Sequence, residues 1–289
     1  MAVRYSTLRS FREGVNRELS DLYSQRELKF IVDYLAVNTL NYSSSDLILK
    51  SNQLLSEDEI LTLNSCIDRL KKKEPLQYIT SVVEFFGLEL KVDARALIPR
   101  PETEELVKWV LVENDSSSEV VFDVCAGSGC IALAIKSNLQ NSDVVAIELS
   151  SEAIELIDEN RSKTNLDIGI LQADALKEGS FSGYEDESID IIVSNPPYVL
   201  ESDKGQMTDQ VLDFEPHMAL FVDDSDPLVF YSAIGLQAYR LLKKGGKLYF
   251  EVHELLAEEV AKLLDQIGFV NIEVRKDLQG KQRMVRGIR

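Results

Sequence analysis

The spacing of apolar residues changes character along the chain, and each change marks a different kind of structure. Leu8, Phe11, Val15, Leu19 and Leu22 recur at steps of three and four, which places them on one face of a helix. Ser56 followed by Glu59 is a capping-box pattern, and Ile60, Leu63, Ile67 and Leu70 continue it as an apolar stripe. Lys71-Lys72-Lys73 closes that helix, where cations favour the negative end of the helix dipole. A solvated last turn explains this run better than a binding patch does. The chain up to Lys73 therefore predicts a small helical bundle, without a catalytic constellation and suited to recognising a partner. From Val82 to Val92 the pattern turns to alternation around Gly87, which predicts a β-hairpin. Downstream, strands are predicted at Val120–Val124, Val144–Glu148, Ile168–Gln172, Ile189–Ser194, Lys247–Val252, Val270–Arg275 and Arg283–Gly287. Amphipathic helices separate the earlier ones, the alternation of a doubly wound α/β sheet. No helix separates the last two, so the final strand is expected to run antiparallel. Ser116-Ser117-Ser118 predicts a short loop before the first of these strands.

With 289 residues there is room for one large and one small domain, and no internal repeat is visible. Composition adds one strong constraint. The formal net charge is −18, and an acidic surface repels phosphate backbones. Duplex DNA or RNA is a disfavoured substrate on this ground. The three cysteines, Cys66, Cys125 and Cys130, show no Cys-x-x-Cys spacing, which argues against a disulfide framework or a zinc site. Reduced thiols in a cytoplasmic protein are expected. His217 and His253 also lack metal-ligand spacing, so no metal site is expected. Met1 to Leu19 has no apolar signal-peptide core, and no stretch reaches the roughly 18 apolar residues that span a bilayer.

The candidate chemistry lies at the ends of the predicted strands. Asn195-Pro196-Pro197-Tyr198 follows the buried-strand run Ile189–Ser194. The two prolines fix two φ angles and remove two backbone donors, and the residues before them are pushed to extended conformations. The result is a stiff ledge carrying carbonyl acceptors, an amide and an aromatic ring, suited to holding a planar NH2 group; a strand-ending turn is the plainer alternative. Cys125-Ala126-Gly127-Ser128-Gly129 joins the first core strand to a helix, and its glycines let the backbone turn and approach a ligand at the helix start. Glu148 ends the next strand, where a carboxylate can accept both hydroxyls of a ribose. Asp174 and Ala175 follow the third strand, at the height of an adenine ring. Because Gly127, Gly129 and Ala132 also satisfy Gly-x-Gly-x-x-Ala, this loop by itself also admits a dinucleotide-binding enzyme. Pro101 and the acidic residues after it start a helix, and Arg100 and Thr103 there are candidates for a cofactor pocket. Trp109 shares an apolar face with Leu106 and Val110 and is expected in the core. Cys125 and Cys130 are expected as small loop-packing residues.

The tetrapeptide Asn195–Tyr198 resembles the signature of methyltransferases acting on planar amino groups. Leu97-Ile98-Pro99-Arg100-Pro101-Glu102-Thr103-Glu104 resembles, more narrowly, the hallmark of the release-factor glutamine methyltransferases, the HemK or PrmC-like family. Pro75–Ile79, Glu215–Leu220, and Gly268-Phe269 with Asp277-Leu278 and Gly280 fit the same family, so the resemblance covers most of the chain. It implies a seven-stranded, doubly wound, Rossmann-like α/β domain dependent on S-adenosylmethionine (SAM), with a small N-terminal helical bundle. The implied division is 1–78 for substrate recognition, 79–97 as a hairpin linker and 98–289 as the methyltransferase domain. The implied substrate is the glutamine of the Gly-Gly-Gln loop in class 1 peptide release factors, met by a cytoplasmic monomer without membrane or direct nucleic-acid contact. Cys125 through Gly129 then match the cofactor loop, Glu148 the ribose ligand, Ala175 the adenine side and Asn195 through Tyr198 the substrate site. Cys125 and Ala126 stand where Gly-Thr is common, so position 125 is not expected to need a positive φ. Ser81, His253 and Leu256 are further departures. The rival readings are a nucleic-acid amino methyltransferase, a non-catalytic SAM-binding partner of the translation machinery and, more distantly, a dehydrogenase.

Overall fold

A computed structural model of the chain describes residues 5–114 and 119–289; the loop expected at Ser116–Ser118 lies outside them. The chain forms two compact units. The first ends at Val82 and also takes in Asp209–Phe214, and the second comprises Val83–Thr208 and Glu215–Arg289.

The first unit is helical: α1 (Leu8–Leu19), α2 (Gln25–Leu40), α3 (Asp46–Leu49), α4 (Glu57–Leu70) and α5 (Leu76–Thr80). Thr7, Ser24 and Ser56 each cap a helix, and their third residues return the bond to the cap backbone. Leu8, Phe11, Val15 and Leu19 of α1 are buried together with Leu28, Val32 and Leu35 of α2 and Leu63, Ile67 and Leu70 of α4. Leu22 departs from the predicted stripe and is 44% exposed. The helix stops at Leu19, so the helical spacing no longer decides which way Leu22 points. Lys71 pairs with Glu18 and Lys73 with Asp209, so two lysines of the predicted solvated turn lie on acidic groups of their own unit.

A hairpin follows, β1 (Val82–Phe85) and β2 (Leu88–Lys91), turning through Phe86 and Gly87, both at positive φ; all of it but Val82 lies in the second unit. The sequence reading made 79–97 a linker. Here α5 occupies its start, and Phe85, Leu90 and Val92 are buried. The hairpin is thus core of the second unit. A seven-stranded sheet follows in the order β10-β11-β9-β6-β3-β4-β5. Its strands are β3 (Val120–Val124), β4 (Asp143–Glu148), β5 (Gly169–Gln172), β6 (Ile189–Ser194), β9 (Leu242–Glu251), β10 (Val270–Lys276) and β11 (Gln282–Ile288). The pairs β3–β4, β3–β6, β4–β5 and β6–β9 are parallel. β11 is antiparallel to both β9 and β10, as the missing helix predicted. Strand β9 begins five residues before the predicted Lys247, because Leu242 already pairs with Ile189 across a register shift.

Helices α6 (Pro101–Glu113), α7 (Cys130–Asn138), α8 (Ser151–Thr164), α10 (Val229–Leu241) and α11 (Ala257–Ile267) accompany the sheet. The short α9 (Asp209–Phe214) belongs to the first unit. A two-residue parallel pair, β7 (Val199–Leu200) with β8 (Phe221–Val222), joins the exits of two motif segments. The chain runs outward from β3 through β4 to β5, then returns to β6 on the other side of β3. A reversal of this kind opens a crevice at the carboxyl ends of the strands. No helix among the described residues is long and apolar enough to cross a membrane.

Candidate active site

A cleft open to solvent lies at that crevice. It is lined by Cys125–Ser128 after β3, Glu148 at the end of β4, Asp174 and Ala175 after β5, and Asn195 and Pro197 after β6. Arg100 and Thr103 line it as well. Gly129, Pro196 and Tyr198 do not reach the lining; Pro196 is buried, and Gly129 at φ +78 is the N-cap of α7.

The cofactor side is built from backbone bonds. Glu148 accepts from Gly127 N at 2.8 Å through one oxygen and from Leu149 N and Ser150 N at 2.8 and 3.0 Å through the other. An ionised carboxylate has about four acceptor sites, two on each oxygen, so Oε1 is filled by its two backbone donors and Oε2 keeps one site for a ribose hydroxyl. Gly127 stands at φ +56, and a Cβ there would meet only Ala96 Cβ, at 4.0 Å. The loop backbone therefore faces open cleft. Ile131, Ile147, Ala153, Ala175 and Phe230 supply apolar walls. An acidic ribose acceptor beside an apolar slot and an open glycine turn fits the adenosyl group of SAM.

Cys125 adopts φ +63, a conformation that the replacement of the common glycine by cysteine had not required. The backbone decides: Ala126 N donates to Ile147 O at 3.1 Å, and Gly129 N to Ala126 O at 2.8 Å. Together they hold the turn in the left-handed region whatever the side chain. Burial, then the charges of Glu148 and Asp123, pushes the Cys125 thiol well up, and burial pushes Cys130 up to about 12. Cys130 is buried, whereas Cys125 is half-buried, and both line the cleft. Asp123 lies wholly buried under the loop, accepts from Ala132 N at 3.0 Å, and is pushed up to about 8 by desolvation.

The acceptor side centres on Asn195. Its Nδ2 donates to Thr103 Oγ1 at 3.2 Å, and Thr103 Oγ1 donates to Glu251 Oε2 at 2.7 Å. The Tyr198 hydroxyl donates to Glu251 Oε1 at 3.0 Å. Thr103 and Glu251 are both buried. Burial raises the Glu251 carboxyl above the usual carboxylate range, and bonds from Thr103 and Tyr198 and the charge of Arg283 offset only part of that rise. Tyr198 is pushed up by burial and by Glu251, so it stays a neutral donor. The hydroxyl of Thr103 and the guanidinium of Arg100 are thus already engaged, Arg100 by the buried Glu215. Glu215 also accepts from Ile98 N at 3.1 Å, tying the segment before α6 to the loop before β8.

Sequence reasoning gave Glu251, Glu215 and Asn160 no role. Asn160, buried on α8, accepts from Lys91 N at 2.6 Å and donates to Lys91 O and Ser128 O, both at 3.0 Å. It joins the hairpin to the cofactor loop. For Glu251 a signal existed: it is an acid inside the apolar run Leu248–Val252, and buried acids are paired. Trp109 is core as expected, edge-on to Tyr249 at 5.4 Å with Arg275 stacked at 4.1 Å. Among the described residues no cluster could hold a metal ion. His253 is held low chiefly by burial.

The crevice, the open glycine turn and the anchored asparagine ledge define a methyltransferase of the doubly wound α/β class. Residues 103–214 match the family described as methyltransferase small domain, and residues 17–80 match the PrmC N-terminal domain. The methyltransferase from Pyrococcus furiosus shares the fold, with a TM-score of 0.53 at 18% identity over 70% of this chain and 89% of that one. The release factor glutamine methyltransferase of Flavobacterium psychrophilum is 35% identical over 283 residues, 96% of this chain and 98% of that protein. That of Bacteroides thetaiotaomicron is 36% identical over 271 residues, 94% and 96% of the two chains. The chain belongs to the release factor glutamine methyltransferase family.

Proposed function

We propose that this protein methylates the side-chain amide nitrogen of the glutamine in the Gly-Gly-Gln motif of class 1 peptide release factors, with SAM as donor. The observation that carries the reading is Asn195, anchored on the same cleft as Gly127 and Glu148. Bound SAM supplies an electrophilic methyl group. Glu148 would hold the ribose, Asp174 and Ala175 would flank the adenine, and the turn Cys125–Gly129 would carry the rest of the donor.

A glutamine amide nitrogen is a poor nucleophile because its lone pair is delocalised into the carbonyl. The Asn195 oxygen and the Pro196 carbonyl would accept the two amide hydrogens, orient the nitrogen and favour the pyramidal geometry that frees the lone pair. Preorganised acceptors also stabilise the positive charge that develops on nitrogen in the transition state. Holding donor and acceptor in line at about 3–3.5 Å removes several kcal/mol of the barrier. Pro196 and Pro197 stiffen the ledge, and Tyr198 ties its far end to Glu251. No general base is required before transfer, because the nitrogen becomes acidic only afterwards.

The helical first unit would recognise the release factor. Incubating the protein with SAM and a class 1 release factor, then sequencing the Gly-Gly-Gln peptide by mass spectrometry, tests the proposal. A methyl group on that glutamine is expected. Labelling of ribosomal RNA instead would favour the nucleic-acid alternative and overturn the reading.

A further inference from the structure

We infer that Glu251 and Thr103 are positioning residues that fix which way the Asn195 amide faces, an inference that rests on the substrate reading above. An asparagine amide has two faces of opposite chemistry, an acceptor oxygen and a donor nitrogen. A substrate NH2 group needs the oxygen, so an amide turned over by half a rotation presents a donor to a donor. The tetrapeptide does not determine the choice by itself.

The orientation follows from a directed chain of hydrogen bonds that starts at Glu251. As a carboxylate, Glu251 only accepts. The Thr103 proton must therefore point along the 2.7 Å contact to Glu251 Oε2. A hydroxyl has one proton, so the remaining side of Thr103 Oγ1 presents lone pairs. Only the NH2 end of Asn195 can meet them, at 3.2 Å, and the oxygen of Asn195 is left for the cleft. The other oxygen of Glu251 takes the Tyr198 hydroxyl at 3.0 Å. One buried carboxylate, on β9, thus sets both ends of the Asn195–Tyr198 ledge. Burial strengthens the constraint, because a donor or acceptor left unpaired there loses its water as well as its partner. Thr103 enters from the first turn of α6, so a residue of the Ile98–Glu104 segment acts on the substrate side of the cleft through its hydroxyl.

The test uses the full-length protein, SAM and a class 1 release factor. Thr103→Val keeps the branched shape and removes the hydroxyl. It is expected to lower kcat by about 10- to 100-fold, the range of one hydrogen bond to a charged group, with the Kd for SAM and the KM for the release factor near wild type. Thr103→Ser restores the hydroxyl and is expected to recover most of kcat. Glu251→Gln replaces an all-acceptor group with one that must donate on one side. It is expected to lower kcat comparably, because either Asn195 turns over or Tyr198 loses its acceptor. A Thr103→Val enzyme with wild-type kcat would overturn the inference, and so would a Thr103→Ser enzyme as impaired as Thr103→Val. Should Thr103→Val fail to fold, Glu251→Gln at wild-type Tm decides, and unchanged kcat there overturns it. The two readings fail separately. Wild-type protein that leaves the glutamine unmodified refutes the substrate proposal, whereas active wild type with an indifferent Thr103→Val refutes only the positioning chain.

Discussion

Asn195 offers its oxygen to the cleft because Thr103 already holds its nitrogen. Asn195→Ala removes an acceptor aimed at developing charge, a change that typically costs about 100- to 1000-fold in kcat. Single-turnover assays are expected to show a loss of that size, while calorimetry shows SAM affinity close to wild type. Asp123 makes a different prediction, in pH. Its folded-state carboxyl is pushed up to about 8 by burial, against roughly 3.9 in an unfolded chain. Between those values the native state binds more protons than the unfolded state, so this group lowers stability as pH rises through the window, with no further change above it. Asp123→Asn carries no such charge. The Tm of the variant relative to wild type is expected to climb from pH 5 to pH 8 in thermal scans, and parallel curves would count against it. Residue identity signalled Glu148 and Asn195 because each ends a readable strand. It was silent on the conformation of Cys125, where backbone bonds from neighbouring elements accompany the positive φ.

Elements were legible where their own residues sufficed. Strands β3 and β6 fall at the predicted bounds, because a strand buried on both faces is a nearly continuous apolar run. Helix α4 was announced by Ser56 and Glu59. The pair β7–β8 and the early start of β9 left no pattern, since each is set by a partner far along the chain. The same distance hid the groups that stiffen the site. Thr103 and Glu251 are 148 residues apart, Ile98 and Glu215 117, and Lys91 and Asn160 69. Asn160 shows what such a tie contributes. Asn160→Ala strands the Lys91 amide and two carbonyls, and leaving buried polar groups unpaired is expected to cost about 2–4 kcal/mol. Urea unfolding measures that loss. Calorimetry is expected to show weaker SAM binding as well, because Ser128 is released from α8. A loss of stability with unchanged SAM affinity would show that the cofactor loop holds its shape unaided.

For the molecule as a whole, the net charge of −18 bears on the choice of substrate. Repulsion from phosphate backbones predicts that excess RNA at about 0.15 M salt neither slows methylation of a release factor nor becomes labelled. Inhibition by RNA would reveal a local basic site that the average conceals. The return of Asp209–Phe214 to the first unit left no pattern in the sequence, since six residues carry no address of their own. The insertion of β11 between β9 and β10 also orders events in time. During synthesis β10 is made before β11, yet it has no neighbour in the sheet until residues 282–288 emerge. Until then β9 keeps an open edge, the kind of surface that pairs with other chains. In the interval between making its sixth and seventh sheet strands, the nascent protein therefore carries both the open edge of β9 and a β10 without a partner, two surfaces open to pairing with other chains.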